Sequence, residues 1–594
     1  LVFCLLLCSG LLQGLRRCQL DCPAPSVLVK DGKGAYIGEI SSSPSAPLGY
    51  WRCEQTPHRL ESSALMAEDR RFHYHPGVDP LAIVRAFLQN LRAGRHVSGA
   101  STIAMQVARM QNPGERTYWR KYVEAWTALF LTLRFGRRRI LLHYLTIAPF
   151  GPRVRGIDYA ARLYFDKQSR DLSWSEAALL MAIPQSPVKM NIYDEKGRAL
   201  AVRRGKRILD SLHDEGILKG RVYQMARENL PSLRPRPRPG TLPFALHFLQ
   251  RLKGELASKG EIVAKGGVVK TSFDREIQAL AKDKLSHFIS KWRGLGACNG
   301  AFVLAHRDGR IISYLGSDDY YDGDKAGAID YASLARSPGS SLKPFVYALA
   351  LELGVISPAT VLEDFHRAPG GISNADERFL GPLLPRQALA NSRNVPAANL
   401  LAELGLHCFF DLTANLGLHR GYGRASDFGL GMVIGTLPVD LLSLLRAYRS
   451  LADGGVYQSF RWYEGQRLAG KRRIFSSSTA RQIALFLSDP LARLPSFERM
   501  GNLEYPYPVC AKTGTSSRCR DAWCLLWSRR YLAGLWLGRH DYGPMNGLSG
   551  YDAAARVLKS ILLELDFAGS RLKDIGFPPP EGYEAAKVCA RSGK

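Results

Sequence analysis

Three short segments hold the reactive groups of the larger half of this chain: Ser340-Ser341-Leu342-Lys343, Ser392-Arg393-Asn394 and Lys512-Thr513-Gly514. A serine hydroxyl is a weak nucleophile until a neighbouring base takes its proton. A lysine three residues along a helix shares a face with the serine and lies within its reach. Ser392 and Asn394 add a second hydroxyl and an amide, able to relay protons and hold a carbonyl. Lys512, Thr513 and Thr515, with Gly514 between the hydroxyls, place a cation and two donors on an expected strand, suited to gripping a carboxylate. The set describes acyl transfer through Ser340, with Lys343 as its base.

Each segment is weak alone. Ser-x-x-Lys arises by chance about once or twice in a chain this long, and Ser186-Pro187-Val188-Lys189 is a second instance. The residues downstream of each serine separate the two. Asn191, Asp194 and Gly197 interrupt any helix after Ser186. After Ser340 comes the apolar run Phe345 to Leu351, with Pro344 in the first turn, where proline is tolerated, and Pro338-Gly339 as the lead-in turn.

A second concentration of reactive groups runs from Glu68 to Asp79. Glu68 and Asp69 could pair with Arg70 and Arg71 as surface ions. His73, His75 and Asp79 could ligate a metal, although His-x-His on a helix points the rings apart. Glu68 could instead serve as a general base. Downstream stand Ser101, Thr102 and Gln106, then Arg109, Arg116, Arg120, Lys121 and Glu124. Taken singly, each of these basic residues fits a solvated helix face as well as a ligand contact.

These groups need at least two domains to position them, because 594 residues exceed a single core. Residues 1–15 are almost wholly apolar and read as a truncated membrane anchor or signal, short of the roughly 20 residues that span a bilayer. Residues 16–49 read as a connector, and 50–230 show helical periodicity. The alternating Arg-Pro run from Arg234 places a linker at 231–262. From 263 to 568 strand-like runs (Gly267–Thr271, Ala301–Ala305, Ile311–Leu315) alternate with helices, an α/β pattern. A proline-rich tail covers 569–594.

A net charge of +28 implies an anionic partner. No zinc-finger spacing, RNA-binding signature or Walker loop is present, so an acidic membrane surface or phosphorylated ligand is expected rather than nucleic acid. The eleven cysteines show no regular framework; Cys18 with Cys22 and Cys519 with Cys524 are near enough to pair, and free thiols fit as well.

The Ser340, Ser392 and Lys512 segments, in this order, resemble the signature of penicillin-interactive serine enzymes. Gly99-Ala100-Ser101-Thr102-Ile103-Ala104-Met105-Gln106 resembles the second motif of the peptidoglycan glycosyltransferases. Glu68–Asp79 resembles their first motif, Arg120–Glu124 the third, and Gly156 with Ala160–Phe165 the fifth. The chain is thus similar to the bifunctional class A penicillin-binding proteins; Ala148-Pro149-Phe150-Gly151 and Arg520-Asp521-Ala522-Trp523 look most like the 1C type. Met105, His143, Thr146 and Asp166 depart from the pattern.

That resemblance implies a multidomain protein: a mostly α, lysozyme-like glycosyltransferase domain, then an α/β, β-lactamase-like transpeptidase domain. It implies lipid II and nascent peptidoglycan as substrates and β-lactams as inhibitors. Glu68 becomes the base and Glu124 a second carboxylate near the leaving group. Asp69, Ser101, Thr102, Gln106 and the four basic residues become ligands for sugar and diphosphate. No cofactor is required, no protein metal site is implied, and a divalent cation (Mg2+ or Mn2+) is compatible with the glycosyltransferase site. The implied location is the inner membrane, by one N-terminal anchor, with catalytic domains in the periplasm. The 1C type usually carries a further C-terminal domain, to which 569–594 would lead. The rival reading is a D,D-carboxypeptidase or β-lactamase-like hydrolase with a weak or inactive glycosyltransferase domain; Glu498 and Asn502 mimic a deacylating motif but lie too near Lys512. A non-catalytic wall-binding scaffold is the third reading.

Overall fold

The computed structural model describes residues 2–22, 25–41, 49, 51, 53, 55–94, 101–236, 242–257, 267–419, 423–567 and 576–589. The chain forms two compact units, one of Leu1–Val29, Gly38–Gly240 and Lys253–Val268, the other of Lys30–Ile37, Thr241–Leu252 and Val269–Lys594.

The first unit is helical: α1 (Val2–Arg16), α2 (His58–Glu68), α3 (Pro80–Ala93), α4 (Ile103–Gln111), α5 (Tyr118–Phe135), α6 (Arg137–Ile147), α7 (Ile157–Phe165), α8 (Trp174–Ala182) and α9 (Glu195–Asp214). Polar caps start several of these helices by satisfying free backbone N–H groups. Asp79 caps α3, Thr102 α4, Thr117 α5 and Asp194 α9, and Ser173 with Glu176 forms a capping box on α8. From Ser175 to Ala182, α8 is buried, and it packs against α2 and α9. Helix α1 lies on α5, with Gly10 facing Tyr122 and Gly14 facing Trp126. It has 15 residues; among the described residues no helix is long and apolar enough to cross a membrane.

The second unit is built on an antiparallel sheet of β1 (Asn299–His306), β2 (Ile311–Leu315), β3 (Cys510–Thr515), β4 (Asp521–Trp527) and β5 (Tyr531–Gly538), in the order β3-β4-β5-β1-β2. Strands β4 and β5 are buried along their whole length, so both faces must be covered. Ala533, Leu535 and Leu537 join one core with Ala281, Leu285, Leu558 and Ile561, from helices Arg275–Lys291 and Arg556–Phe567. Gly534, of opposite pleat, meets Leu441 and Leu445 of helix Leu441–Ala452.

Three stretches differ from the sequence expectation. Within 16–49 there are two strands, Ser26–Lys30 and Tyr36–Ser41, and Val27, Leu28 and Val29 are buried. Within 231–262 a helix forms at Leu246–Ala257, because Phe248, Leu249, Leu252 and Leu256 bury at helical spacing; residues 237–241 and 258–262 lie outside the described residues. The tail is not free where described: Arg481 pairs with Glu581 at 2.6 Å, and Ser478 Oγ donates to Glu581 O. Cys18, Cys22, Cys519 and Cys524 are all free thiols.

Candidate active sites

Ser340 lies in a 3-10 turn, Gly339–Leu342, that runs directly into helix α10 (Lys343–Glu352). Two glycines let this turn touch β3. Gly339 sits at φ +54°, and a Cβ there would lie 2.4–2.6 Å from Thr515 backbone atoms. A Cβ on Gly514 would lie 2.1 Å from Pro338 O and 2.3 Å from Ser341 Oγ. Trp523 Nε1 on the neighbouring strand donates to Ser337 O at 2.7 Å, and Tyr448 OH donates to Ser341 O at 2.7 Å.

Behind the turn sit two buried lysines, Lys343 at 0% and Lys512 at 3% exposure. Lys343 Nζ donates to Ser392 O and to Asn394 Oδ1, each at 2.6 Å. Burial, then the charges of Lys512 and Arg393, hold its ammonium well below the ordinary lysine range, against an opposing pull from Asp364. Lys512 Nζ donates to Ser392 Oγ at 2.7 Å and to Thr513 O at 2.8 Å. Burial lowers its pKa to about 7. Ser392, at φ +59°, therefore touches both amines, through its carbonyl and its hydroxyl.

A cleft of about 310 Å3 is lined by Ser340, Ser392, Asn394, Thr513 and Thr515, walled by Ile434, Phe497 and Tyr551. Thr515 Oγ1 accepts from Gly550 N. One expected contact is not made: among the described hydrogen bonds, Lys343 has none to Ser340. The amine is drawn instead to two oxygens of the Ser392–Asn394 segment.

In the first unit, Glu68 ends α2. Its Oε1 accepts from Arg204 Nη2 at 2.8 Å and its Oε2 from Gln106 Nε2 at 2.7 Å. Arg204 on α9 also donates to Ala67 O and Ala182 O, so it is fixed before it grips the carboxylate. Ser101 lines a cavity of about 220 Å3 with Glu68, Arg70, Arg71 and Arg85. Tyr144 is fully buried, and among the described residues its hydroxyl has no hydrogen-bond partner. Burial, then the charge of Glu68, raises its pKa, and the charges of Arg204 and Arg109 oppose.

Other expected residues have different tasks. Asp69 is buried, and both oxygens are engaged: Oδ1 with His75 Nε2 at 2.9 Å, Oδ2 with Ile103 N at 3.0 Å. It ties α2 to the start of α4 and also lines the cavity of Glu68 and Ser101. Thr102 likewise caps α4 and donates to Gly77 O. Arg120 pairs with Glu124 at 3.3 Å across one turn of α5. Arg116 and Lys121 are exposed, and Arg109 is half-buried. Gly99 and Ala100 lie outside the described residues. His75 is taken by Asp69, and Asp79 caps α3, which removes two of the three candidate metal ligands.

The sequence reading missed Arg204, Asn374 and Asp376, the last two lining the cleft of Ser340. Arg204 is one of several arginines on α9 (Arg198, Arg203, Arg207), and only its burial distinguishes it.

Similarity to known proteins divides along the same lines. Residues 34–213 match the Transglycosylase family, and residues 300–522 the Penicillin binding protein transpeptidase domain. Penicillin-binding protein 1C of Escherichia coli (strain K12) is 33% identical over 555 residues, covering 92% of this chain and 69% of that protein. Penicillin-binding protein 1A of Aquifex aeolicus (strain VF5) is 26% identical, covering 94% and 88%. A crystal structure of penicillin-binding protein 1A from Haemophilus influenzae shares the fold, with a TM-score of 0.57 at 16% identity over 96% of each chain.

Proposed function

Because this chain belongs to the class A penicillin-binding proteins of the 1C type, we propose that Glu68 and Ser340 are the working groups of its two reactions. The protein is a peptidoglycan glycosyltransferase and serine transpeptidase.

In the acyl-transfer site, Ser340 Oγ attacks the D-Ala-D-Ala carbonyl of a stem peptide and forms an ester as the terminal D-Ala leaves. Lys343, whose charged form is disfavoured by its burial, takes the hydroxyl proton. Ser392 Oγ passes a proton to the departing amine and is resupplied by the Lys512 ammonium that donates to it. When the ester is resolved, the incoming amine returns a proton by that route and Lys343 reprotonates Ser340 Oγ. Lys512, Thr513 and Thr515 hold the terminal carboxylate, and Asn394 orients the peptide. A stem-peptide amine then resolves the ester, and β-lactams stall the enzyme at the same step. The observation that carries this reading is the meeting of all three segments at one cleft. Ser340→Ala incubated with fluorescent penicillin should show no covalent label; retained labelling would refute the assignment.

In the glycosyl-transfer site, Glu68 takes the proton of the attacking sugar hydroxyl. Arg204 and Gln106 fix its carboxylate; Ser101, on the same cavity, and Arg109 serve sugar and diphosphate. Glu124 with Arg120 faces the leaving group, where negative charge grows. Arg116 and Lys121, both solvated, attract the diphosphate at longer range. Among the described residues no group of three or more His, Cys, Asp or Glu is placed to hold a metal ion. A divalent cation would therefore take much of its coordination from the substrate diphosphate, and titration with EDTA during lipid II polymerisation tests for one.

The membrane reading rests on α3. Leu81, Val84, Leu88 and Leu91 are exposed at helical spacing beside Arg85 and Arg92, a pattern suited to an anionic bilayer surface. Val84→Glu with Leu88→Glu should lower co-sedimentation with anionic vesicles. Catalytic domains outside the cytoplasm, tethered by the N-terminal apolar segment, complete the reading. The hydrolase alternative has no observation in its favour: Glu498 is exposed, and among the described hydrogen bonds its carboxylate accepts from Tyr551 OH at 3.5 Å.

A further inference from the structure

The Ser-x-Asn segment reaches Lys343 only because another part of the chain holds it there. Strands Leu362–Asp364 and Gly381–Leu383 pair antiparallel, and the loop between them carries Asn374 and Asp376 into the cleft of Ser340. The helix Asn394–Leu404 has no side-chain cap of its own at Arg393. Asn374 supplies it from outside: its Oδ1 accepts from Asn394 N at 2.8 Å and Val395 N at 3.3 Å. These are N–H groups that a helix start otherwise leaves unmet.

The other end of the same amide is tied down. Asn374 Nδ2 donates to Asp364 Oδ1 at 2.6 Å and to Arg378 O at 2.9 Å. Asp364 Oδ2 accepts from Arg393 Nε at 2.9 Å and from Leu380 N at 3.0 Å. Arg393, the middle residue of the segment, also meets Asp376 Oδ2 at 2.9 Å. Asp364, Asn374 and Arg393 are 0%, 2% and 4% exposed. Asn394 Nδ2 donates to Ser373 O, which turns its Oδ1 to Lys343.

From this we infer that Asn374 is a positioning residue for acyl transfer: by capping the Asn394 helix and linking it to the buried Asp364–Arg393 pair, it keeps Asn394 Oδ1 and Ser392 O on Lys343. The inference rests on the assignment of Ser340 as nucleophile and Lys343 as its base. Geometry of this kind matters because a small displacement of a catalytic partner is amplified in the rate. The charged groups around Lys343 are Lys512 on β3, Arg393 beside Ser392, and Asp364 at the start of the loop. Their balance depends on the segment staying in place and water staying out. Loosening it lets water reach the ammonium, which favours the protonated lysine and moves the acid limb of acylation to higher pH.

The test measures the second-order rate of acylation by fluorescent penicillin from pH 5 to 9 in the full chain. Asn374→Ala should slow acylation about tenfold to a hundredfold near neutrality and displace the acid limb upward. Asn374→Asp retains an acceptor for the cap but sets a carboxylate beside Asp364; it should recover part of the rate at alkaline pH while keeping the displaced limb. Asp376→Ala, at the half-exposed rim, should shift the limb in the same direction by less, and serves if Asn374→Ala does not fold. Wild-type rate and limb in the folded Asn374 variants, or in Asp376→Ala where those do not fold, would overturn the inference. Ser340→Ala is run alongside: label on that variant would instead refute the underlying reading of the site.

Discussion

In the second unit both cleft lysines are buried, and one residue, Ser392, touches each of them. In the first unit the carboxylate of Glu68 is clamped by an arginine and a glutamine, while Arg116 and Lys121 stand in solvent. The contrast reflects the chemistry. An amine that must act as a base near neutrality has to give up its proton readily, and burial of Lys343 pushes its pKa in that direction. A carboxylate base needs no such burial, but it must not wander. The growing charge of a diphosphate is met by cations that can reach over an open surface. One site is tuned by removing water and the other by fixing an anion among cations.

The sharpest way to break this comparison is to remove each working group and read both reactions. Ser340→Ala should abolish penicillin labelling and leave lipid II polymerisation intact. Glu68→Gln should lower polymerisation by about 10²–10⁴-fold with labelling unchanged. A loss of both activities in either variant would show that the two units do not divide the work. Next in size is Lys512→Ala, which should cut acylation about tenfold to a hundredfold, mainly through KM for D-Ala-D-Ala peptides.

The pH response sharpens the same point. As pH rises through about 7, Lys512 loses its proton, so the KM for a carboxylate-bearing peptide should rise. As pH falls through the lowered pKa of Lys343, kcat should fall, because the protonated amine cannot accept the serine proton. A KM flat between pH 6 and 9 would contradict the assigned grip of Lys512. The smallest expected effect is Arg204→Lys, about tenfold in polymerisation: the charge survives, but the planar fork that spans Glu68, Ala67 and Ala182 does not.

Much of the acyl-transfer site was legible because its parts are short-range. Pro338-Gly339 makes a turn and the apolar run after Pro344 makes a helix; these are local preferences of few residues. What the Lys343 amine bonds to was not legible, since it had a choice of acceptors and packing gave it Ser392 O and Asn394 Oδ1. In the first unit, Asp69 and Thr102 act as a tie and a cap while lining the cavity of Glu68, a double placement that spacing along the chain does not reveal. The expected connector and linker stretches hid strands at Ser26–Lys30 and Tyr36–Ser41 and a helix at Leu246–Ala257, where short apolar runs sat among turn-forming residues.

The sequence by itself determined the two chemistries, the order of the units and the identity of Glu68 and Ser340 as candidates, because residue type and local spacing are written along the chain. Only the tertiary structure decided which distant groups complete them: Arg204 on Glu68, Asn374 and Asp364 behind Ser392, and the burial of Lys343 and Lys512. Such partners are chosen by proximity in space, and burial is a property of what surrounds a residue rather than of the residue.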